Sequence, residues 1–378
     1  MSATARGPRT LRILHVTDSY LPTVGGIELH VADLAARQAL QGHHVEVLTR
    51  AGVRSRGTGL LYAGATHDPA ERRGEVVPLA AVLSSRAGYD VLHVHASVYS
   101  PLAWRATLAS ARQDVPVVFT AHSLLVGVRG PYRMAAEVLR LPRRPVIWSA
   151  VSRAAAATLH AGIGVDVRRI RILPNAVDRR SWQTGVVRDE PDIVTFVAVM
   201  RLAARKRPGA LLRAFLRADV SGVARLCIVG DGPRGEACRR WCQAHPGADV
   251  TLVGEVDRVR VRSILDTADV FVAPATRESF GIAALEARES GLPVIARRGT
   301  GVADFVQDGE HGLLVGDDTA MADAIRVLAA DRPLLRKLSA RAHAEPSGFD
   351  WANAMASAEA AYRDASVLSA VASRATRR

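Results

Sequence analysis

The chain has few cysteines and no long apolar run. Cys227, Cys238 and Cys242 are its only cysteines in 378 residues, and so small and odd a number argues against a disulfide-stapled secreted fold. Cys238 and Cys242 are one helical turn apart, but no further metal ligand is near them in the sequence, so we interpret them as reduced structural thiols. No apolar stretch reaches the roughly 18 residues that cross a bilayer. Because residues 1–10 are polar and basic, we expect a cytoplasmic protein without a signal peptide.

Aromatic residues and lysines are also scarce. Phe, Trp and Tyr make up 5% of the chain, and no zinc-finger or aromatic-and-basic pattern is present, which argues against nucleic-acid binding despite a formal net charge of +13. The charge instead suits an anionic small substrate or an anionic membrane face. Lys206 and Lys337 are the only lysines among the basic residues. Since lysine and arginine are not interchangeable at a phosphate site, Lys206 is a candidate phosphate ligand.

What the chain does contain is two successive α/β patterns. A strand-type run at 11–17 is followed by a glycine-containing turn and by a helical periodicity at 27–41, the start of a doubly wound parallel sheet. The same pattern restarts after the middle of the chain. We therefore predict a Rossmann-like domain at 1–180, a second one at 181–348, and a C-terminal helix and tail at 349–378.

Three stretches are less regular. Residues 50–75 are rich in Gly and Arg, which predicts an irregular loop. Residues 127–144 mix arginines with apolar residues such as Met134 and Val138, a pattern typical of a helix that lies on acidic lipid headgroups, although an ordinary solvated helix has the same pattern. The end of the chain, after about Ala365, is expected to be disordered.

The stretch 276–287 carries the most chemical information. It reads Thr-Arg-Glu-Ser-Phe-Gly-Ile-Ala-Ala-Leu-Glu-Ala and follows an apolar run that ends at Pro274. This order predicts a strand, a loop, and a helix that begins near Phe280 or Gly281 and ends near Ser290.

Two carboxylates flank the start of that predicted helix. Glu278 would lie in the loop before it, and Glu286 about a turn and a half inside it. The backbone N–H groups of Gly281 and Ile282 would then offer an anion site between the two carboxylates. A diphosphate that carries a hydroxyl-bearing group at each end fits this arrangement. The alternative is that both glutamates are solvated surface residues.

Two further candidates lie in the first half. The pair Gly25 and Gly26 precedes the helical segment, where backbone can approach a ligand, although a plain tight turn explains it equally. A strand-type run at 115–122 delivers His122 to its carboxyl end, where open α/β sheets bind ligands.

A dinucleotide motif must also be weighed. Gly230-Asp-Gly-Pro-Arg-Gly235 matches G-x-G-x-x-G between a strand and a helix. An NAD-dependent dehydrogenase would carry this motif in its first βαβ unit, whereas here it follows the second strand of the second half. No catalytic His–acid pair for hydride transfer stands out. We therefore retain the dehydrogenase only as a minor alternative.

Six motifs stand in chain order: Val24-Gly-Gly-Ile-Glu28, Phe119-Thr-Ala-His-Ser123, Leu173-Pro-Asn-Ala-Val-Asp178, Met200-Arg-Leu-Ala-Ala-Arg-Lys206, Ile228-Val-Gly-Asp-Gly-Pro233 and Glu278-Ser-Phe-Gly-Ile-Ala-Ala-Leu-Glu286. Taken together they resemble those of glycosyltransferase family 4, a family of retaining enzymes with the two-domain GT-B fold. The resemblance extends from Leu11 to about Tyr362. The chain departs from the family pattern at Pro174-Asn-Ala176, commonly Pro-Asn-Gly, and at Gly299-Thr-Gly301, often a Gly pair.

The resemblance implies an α/β fold and roles for individual residues. Two Rossmann-like doubly wound domains would face each other across a cleft, the first for the acceptor and the second for the nucleotide sugar, with the C-terminal helix crossing back to the first. Arg201 and Lys206 match the basic pair on the donor diphosphate, where they would neutralise the leaving group. Glu286 matches the ribose-binding glutamate, Glu278 the glutamate near the donor sugar, and His122 the histidine beneath that sugar. The other residues predicted to bind the donor are Gly25, Gly26, Gly230, Asp257, Phe280, Gly281 and Ile282.

The donor and the acceptor remain open at this point. Gly254-Glu-Val-Asp257 resembles the phosphatidylinositol mannosyltransferase branch, in which an Asp at this position reads guanine, so GDP-mannose is favoured. The motif at 119–123 instead resembles the branch that adds GlcNAc from its UDP sugar to inositol phosphate. The acceptor would be a lipid-linked, inositol-type or glycan hydroxyl, with peripheral contact to an anionic membrane. No Asp-x-Asp metal motif is present, so no metal or other cofactor is expected. A catalytically silent sugar-nucleotide-binding protein on the same fold is the alternative.

Overall fold

The structure is a computed structural model that describes residues 10–23, 25–50, 59–62, 75–76, 88–110, 115–127, 129–183 and 192–376. The chain divides into two compact units. The first consists of 1–175 together with 352–378, and the second of 176–351. Each is built on one parallel sheet whose strands are joined by helices.

The first unit contains an eight-stranded parallel sheet of order β4-β3-β2-β1-β5-β6-β7-β8. Its strands are β1 Arg12–Thr17, β2 His44–Thr49, β3 Gly59–Tyr62, β4 Glu75–Val76, β5 Val91–Ala96, β6 Val117–Ala121, β7 Val146–Ala150 and β8 Arg171–Ile172. Its helices before the second unit are α1 Gly26–Leu40, α2 Pro101–Ser110, α3 Arg129–Val138 and α4 Arg153–Ile163. The central strands are buried along almost their whole length, as expected of a parallel sheet. The order reverses between β1 and β5.

The second unit contains a six-stranded parallel sheet of order β11-β10-β9-β12-β13-β14. The strands are β9 Val194–Val199, β10 Ala224–Val229, β11 Val250–Gly254, β12 Val270–Ala273, β13 Val294–Arg297 and β14 Gly312–Val315. The helices are α5 Arg179–Trp182, α6 Pro208–Ala218, α7 Gly235–Ala244, α8 Arg258–Asp266, α9 Ile282–Glu289, α10 Asp318–Ala330 and α11 Arg332–Ala344. This is the strand order of dinucleotide-binding Rossmann folds, and it reverses between β9 and β12. The predicted α/β class with two Rossmann-like domains is confirmed.

The last helix, α12 Trp351–Thr376, returns to the first unit. Its residues Ala358, Ala361 and Tyr362 are buried in one hydrophobic cluster with β1 and α1 residues such as Ile13 and Val31. The predicted return of the C-terminal helix is therefore confirmed.

Two local predictions were wrong. The end of the chain is helical as far as Thr376 instead of disordered after Ala365, because alanine-rich turns continue the helix. The stretch 50–75 is not uniformly irregular, because β3 lies inside it and pairs in parallel with β2. The rest of that loop prediction, at 51–58 and 63–74, lies outside the described residues.

Candidate active site

Each sheet has a reversal point, and in open α/β sheets ligands bind at the carboxyl ends of the strands on either side of it. In the second unit a cavity lies at this point. It is lined by Met200 after β9, by Ala273 and Pro274 at the end of β12, and by the side chains of Lys206 and Glu278, among others. The predicted phosphate ligand and the predicted sugar-side carboxylate therefore line one cavity.

Lys206 and Glu278 also contact each other. The Lys206 ammonium lies 2.5 Å from Glu278 Oε2, and both side chains are largely withdrawn from solvent. Lys206 ends a short 3₁₀ turn, Ala204–Lys206, that follows β9, and Glu278 lies in the loop between β12 and α9. The second unit thus places one positive and one negative charge at the reversal point, 72 residues apart in sequence.

Arg207 holds the lysine turn in place. It adopts a left-handed conformation with φ 60° and ψ 43°, which is costly for a residue other than glycine. Its guanidinium donates to both carboxylate oxygens of Asp318, at 2.8 and 2.7 Å, and to the Pro274 carbonyl. Arg297 donates to the same carboxylate at 3.1 Å. These arginines hold the pKa of Asp318 below its usual value, so the tether stays ionised at neutral pH.

The Glu278 loop depends on two close backbone approaches. Gly281 begins α9 with φ 94°, and a Cβ there would lie 2.8 Å from Val302 Cγ2. A Cβ on Gly301 would lie 2.1 Å from the Ser279 carbonyl oxygen. The Gly301 N–H donates to the Glu278 carbonyl at 2.9 Å. A side chain at 301 would therefore displace the loop that carries Glu278.

The three residues predicted to line a sugar pocket are placed differently from one another. Gly281 and Ile282 line the cavity. The Phe280 ring is 1% exposed and packs with Phe305 and Phe349 at centroid distances of 5.4 and 5.7 Å. Phe280 is not among the residues that line this cavity, and its ring packs the Glu278 loop onto the core.

Glu286 lies inside α9 and is nearly buried. Its Oε1 accepts from Arg258 at 3.0 Å, and the Arg258 guanidinium stacks 5.3 Å from the centre of the Trp182 ring. Asp257, the predicted base-reading residue, accepts from the Arg260 N–H through Oδ1 at 2.8 Å and so caps α8. The structure gives Asp257 a helix-capping role.

Gly230 allows the backbone of a neighbouring loop to pack closely against it. It has φ 119°, and a Cβ there would lie 2.1 Å from the Met200 carbonyl oxygen. The following Gly232 also approaches the Leu202 backbone closely, and the Leu202 N–H donates to the Asp231 carbonyl at 2.9 Å. The G-x-G motif therefore packs against the loop on which Arg201 stands exposed. This packing accounts for the motif without a nicotinamide cofactor.

In the first unit the predicted residues lie at the carboxyl edge of the sheet and at the start of α1. Gly25 precedes α1 without a side-chain cap. The Glu28 carboxylate folds back over this glycine, because a Cβ on Gly25 would lie 2.4 Å from Glu28 Oε2. Ser19 donates to the other oxygen at 2.6 Å. Of the two predicted glycines, Gly25 thus faces a carboxylate of the chain itself, and Gly26 is the first helical residue.

His122 directly follows β6 and is 3% exposed. Its ring centroid lies 5.7 Å from that of His30 on α1, and its Nε2 lies 3.0 Å from His95 Nδ1. Burial lowers the pKa of His122 to about 3. This imidazole is therefore neutral at physiological pH.

His15, His93 and His95 form a group that resembles a metal site. Their ligand atoms lie within 4.8 Å of one another, and all three are buried. Every ring nitrogen of the three is already in a hydrogen bond, however, including one of 2.9 Å between His15 Nδ1 and His95 Nε2. Two nitrogens at about 2.1 Å from a tetrahedral zinc would be about 3.4 Å apart. The three histidines therefore form a hydrogen-bonded network. A metal ion could bind them only if these hydrogen bonds broke and the ring nitrogens moved apart.

No helix in the described part of the chain is long and apolar enough to cross a membrane. The amphipathic pattern at 127–144 forms α3, whose Met134 and Val138 are 68% and 76% exposed. Arg133, one turn before Glu137, pairs with that glutamate at 2.9 Å. Residue 128 lies outside the described part of the chain.

Comparison with known proteins identifies the family. A profile described as "Glycosyltransferase Family 4" matches residues 24–181, and one described as "Glycosyl transferases group 1" matches residues 191–331. The D-inositol 3-phosphate glycosyltransferase of Nocardia farcinica is 30% identical over 406 residues, which cover 92% of this chain and 87% of that protein. The chain belongs to glycosyltransferase family 4. The predicted family membership is confirmed.

Other similar proteins agree with this family 4 assignment. A phosphatidylinositol N-acetylglucosaminyltransferase subunit of Arabidopsis thaliana is 30% identical, and the match covers 84% of this chain and 74% of that protein. A crystal structure of Anabaena HepE in complex with UDP and glucose superposes with a TM-score of 0.70 at 18% identity, covering 93% of this chain and 98% of that one. This likeness supports the GT-B fold that the motifs predicted.

Several residues of this glycosyltransferase that shape the site were missed at the sequence level. Arg258 pairs with Glu286. Arg207 and Asp318 tether the turn that carries Lys206. Gly301 has no side chain, and this lets the Glu278 loop pack closely against it. Gly301 carried a signal in the triplet Gly-Thr-Gly. Arg207 carried one as a basic residue directly before the helix-initiating Pro208, but its acidic partner is 111 residues away.

Proposed function

We propose that this family 4 glycosyltransferase transfers a sugar from a nucleoside diphosphate sugar to a hydroxyl acceptor, with retention of configuration and without a metal. The observation that carries the proposal is the cavity at the β9/β12 reversal point. There Lys206 and Glu278 lie beside the start of α9.

The second unit supplies what a departing diphosphate needs. Within the described residues the first N–H groups of α9 have no intrahelical acceptor and no side-chain cap, so they can donate to phosphate oxygens. Lys206 adds a full positive charge at the same cavity, and Arg201 lies on the same loop. Charge that builds on the leaving phosphate is stabilised by these groups, which is work that a divalent cation would otherwise do.

A same-face displacement fits the residues at hand. The bond between the anomeric carbon and the phosphate oxygen breaks, and the acceptor oxygen bonds to that carbon on the same face. The acceptor proton passes to the leaving phosphate oxygen. Glu278 would orient a sugar hydroxyl and offset positive charge at the anomeric carbon, while Glu286, held by Arg258, would bind the ribose.

The donor is either a UDP sugar or GDP-mannose. GDP-mannose depends on Asp257 reading guanine, yet Asp257 already caps α8 through Oδ1. A UDP sugar needs no such contact. The name of the Arabidopsis relative and the UDP and glucose bound to HepE favour it. We therefore propose a UDP sugar first, with GDP-mannose as the alternative.

The acceptor is proposed to be an inositol-type hydroxyl, free or in a lipid headgroup. Both curated relatives carry inositol in their names. The exposed Met134 and Val138 on α3, with arginines nearby, support a peripheral contact with an anionic membrane. Binding to vesicles of anionic lipid at low salt, but not to neutral vesicles, is expected. Failure to bind anionic vesicles would remove the membrane contact and leave free inositol phosphate as the acceptor.

A thermal-shift panel of UDP, GDP, ADP, their sugars and the matching nucleosides tests the donor. A sugar nucleotide should raise the melting temperature, whereas NAD should not. Lys206→Ala should abolish most of the diphosphate response and spare any nucleoside response. Lys337→Ala, the other lysine and an exposed residue of α11, is the matched control. Equal losses in both variants would contradict the proposed diphosphate contact.

Transfer itself separates an enzyme from a silent binder. Radiolabelled sugar from the stabilising donor should appear in inositol phosphate or in an inositol lipid, with the anomeric configuration of the donor. Binding without transfer to any of these acceptors would favour the silent sugar-nucleotide-binding protein. An inverted product would contradict the retaining mechanism.

A further inference from the structure

A buried chain of hydrogen bonds runs beneath the first sheet and ends at His122. Eight contacts join the backbone carbonyl of Phe119 to this histidine through seven side chains. Each of those side chains belongs to a residue with at most 2% exposure. In order they are Ser149, Thr120, His93, Tyr362, Gln38, His15 and His95, with donor–acceptor distances between 2.7 and 3.0 Å.

The direction of this chain is fixed at its backbone end. A carbonyl oxygen only accepts, so Ser149 Oγ must donate to the Phe119 carbonyl, at 2.9 Å. Ser149 has no second proton, and Thr120 must therefore donate to it at 2.7 Å. The Thr120 hydroxyl is then used up, and His93 Nε2 must donate to Thr120 at 2.8 Å.

The central residues of the chain donate in the same direction. A neutral His93 that carries its proton on Nε2 accepts at Nδ1, so the Tyr362 hydroxyl donates to it at 2.8 Å. Burial raises the pKa of Tyr362, which keeps this hydroxyl protonated. Tyr362 accepts from Gln38 Nε2 at 2.8 Å. Gln38 Oε1 therefore faces His15, and His15 Nε2 donates to it at 2.7 Å.

The last steps determine the tautomer of His122. His15 accepts at Nδ1 from His95 Nε2, and His95 accepts at Nδ1 from His122 Nε2. Each imidazole is neutral, because burial lowers the pKa of His15 to about 4, that of His122 to about 3, and those of His93 and His95 well below their usual value. His122 thus carries its proton on Nε2, and its Nδ1 keeps a lone pair.

If every hydrogen bond of the chain ran the other way, one contact would have no proton to share. If His93 accepted from Thr120, the two hydroxyls of Thr120 and Ser149 would have to serve three contacts: to His93, to each other and to the Phe119 carbonyl. Two oxygen lone pairs would then face each other at 2.7 Å. A low-dielectric interior makes such a contact costly.

We propose that Gln38 and Tyr362, through this chain, hold the proton of His122 on Nε2, so that its Nδ1 accepts a hydrogen bond from a substrate hydroxyl during transfer; the placement of this histidine beneath the donor sugar is itself only what the family resemblance implies. Gln38 and Tyr362 are positioning residues in this scheme, and the inference rests on the proposed function. His122 Nδ1 is buried and has no hydrogen-bond partner among the described residues. An unsatisfied buried acceptor is destabilising, and an arriving O–H group removes this cost.

The position of His122 supports a substrate as the missing donor. It follows β6 at the carboxyl edge of the sheet, where ligands of open α/β sheets bind. Because Nδ1 is enclosed, a hydroxyl reaches it only as neighbouring side chains give way, and bulk water is kept from it. A neutral ring with so low a pKa accepts a hydrogen bond without removing the proton, which agrees with a leaving phosphate that takes the acceptor proton.

Nitrogen-15 NMR of histidine-labelled protein tests the tautomer directly. The signals of His122 are assigned by their loss in His122→Gln. We expect a protonated Nε2 and a bare Nδ1 in the wild type. A protonated Nδ1 would overturn the proposal. Addition of the stabilising nucleotide sugar, with or without inositol phosphate, should shift the Nδ1 resonance, and an unchanged resonance in the saturated complex would overturn the substrate contact.

Two substitutions of Gln38 distinguish the effect of its hydrogen bonds on His122 from the effect of its packing volume. Gln38→Met keeps the side-chain length and removes both hydrogen bonds, so the His122 signals should split between two tautomers. In Gln38→Glu one carboxylate oxygen still accepts from His15, so His122 should keep its wild-type tautomer. The other oxygen has no proton to donate to Tyr362, so Tyr362 donates to it and His93 reverses. The missing proton then falls among the uncharged contacts of Thr120, Ser149 and the Phe119 carbonyl, where it costs less than beside a carboxylate. Identical His122 signals in all three proteins would overturn the proposal. If Gln38→Met does not fold, the reversal of His93 with retention of His122 in Gln38→Glu decides the matter.

Kinetics distinguish this inference from the proposed function. Gln38→Met should lower kcat about tenfold with little change in KM for the donor, and Gln38→Glu should recover most of that loss. If His122 has the expected tautomer but the wild type transfers no sugar, the transferase proposal fails and the proton order stands. If transfer occurs and both variants match the wild type in kcat, the positioning role fails.

Discussion

Both units of this glycosyltransferase contain a parallel sheet with one reversal point, of eight strands in the first and six in the second, but their candidate site residues differ in charge. In the second unit the carboxyl edge carries ion pairs, Lys206 with Glu278 and Arg258 with Glu286. In the first, the chain that ends at His122 consists of neutral imidazoles and other uncharged groups joined by hydrogen bonds, although Asp18 and Arg50 also pair at the ends of β1 and β2, at 3.7 Å. The difference follows from the ligands that each edge is proposed to serve. A diphosphate needs fixed positive charge, whereas a sugar or acceptor hydroxyl needs an oriented lone pair.

The largest expected difference between the two units is in how much stability each loses as the pH falls. Above pH 6.5 the buried histidines are neutral whether the chain is folded or unfolded. Below it the unfolded chain binds protons that the folded first unit excludes, until the pH approaches the folded values of about 4 for His15 and about 3 for His122. Each such histidine therefore removes up to about 1.4 kcal/mol of stability per pH unit.

Hydrogen exchange at pH 7 and pH 5, corrected for intrinsic rates, measures this difference. Protection should fall in β5 and β6 of the first unit far more than in β9 and β12 of the second. The groups that face the cluster are His15, His30, His93, His95, His122 and Tyr362, with Glu359 acting on Tyr362. An equal loss of protection in both units would show that the imidazole cluster does not control acid stability.

The fold was largely accessible from the sequence because its signals are local. Alternating strand and helix patterns, with glycines between them, predicted both doubly wound units. The strand β3 was missed because its pairing with β2 is not encoded in its own composition. The end of α12 was missed because a short apolar pattern in an alanine-rich segment does not define where a helix stops.

The candidate site was accessible only in part. Lys206, Glu278, Gly281 and Ile282 were named from motifs, and they line one cavity. The partners that hold the site residues were missed because they are distant in sequence. Gln38 and Tyr362 are 324 residues apart and in contact. No sequence pattern around either residue predicts that contact.

The charged edge should respond more strongly to loss of one side chain than the neutral edge does. Lys206→Ala removes the only full positive charge that lines the cavity in the described structure. We expect kcat/KM for sugar transfer to fall by about 100- to 1,000-fold, the usual effect of removing a group that stabilises charge in the transition state. Gln38→Met at the neutral edge should cost about tenfold, and Lys337→Ala nothing measurable. A comparable loss in Lys206→Ala and Gln38→Met would remove the proposed contrast between the edges.

The smallest expected effect concerns the backbone that supports the charged edge. A Cβ on Gly301 would overlap the Ser279 carbonyl at 2.1 Å, and backbone cannot move aside as cheaply as a flexible side chain. Gly301→Ala should therefore destabilise the second unit by about 1–3 kcal/mol and weaken donor binding by displacing Glu278. Gly316→Ala is the matched control, because a Cβ there meets no atom within 4 Å. Urea unfolding and donor titration of both variants measure these effects. If Gly301→Ala lost stability but bound donor as the wild type does, the loop would be a packing element without influence on the sugar-side carboxylate.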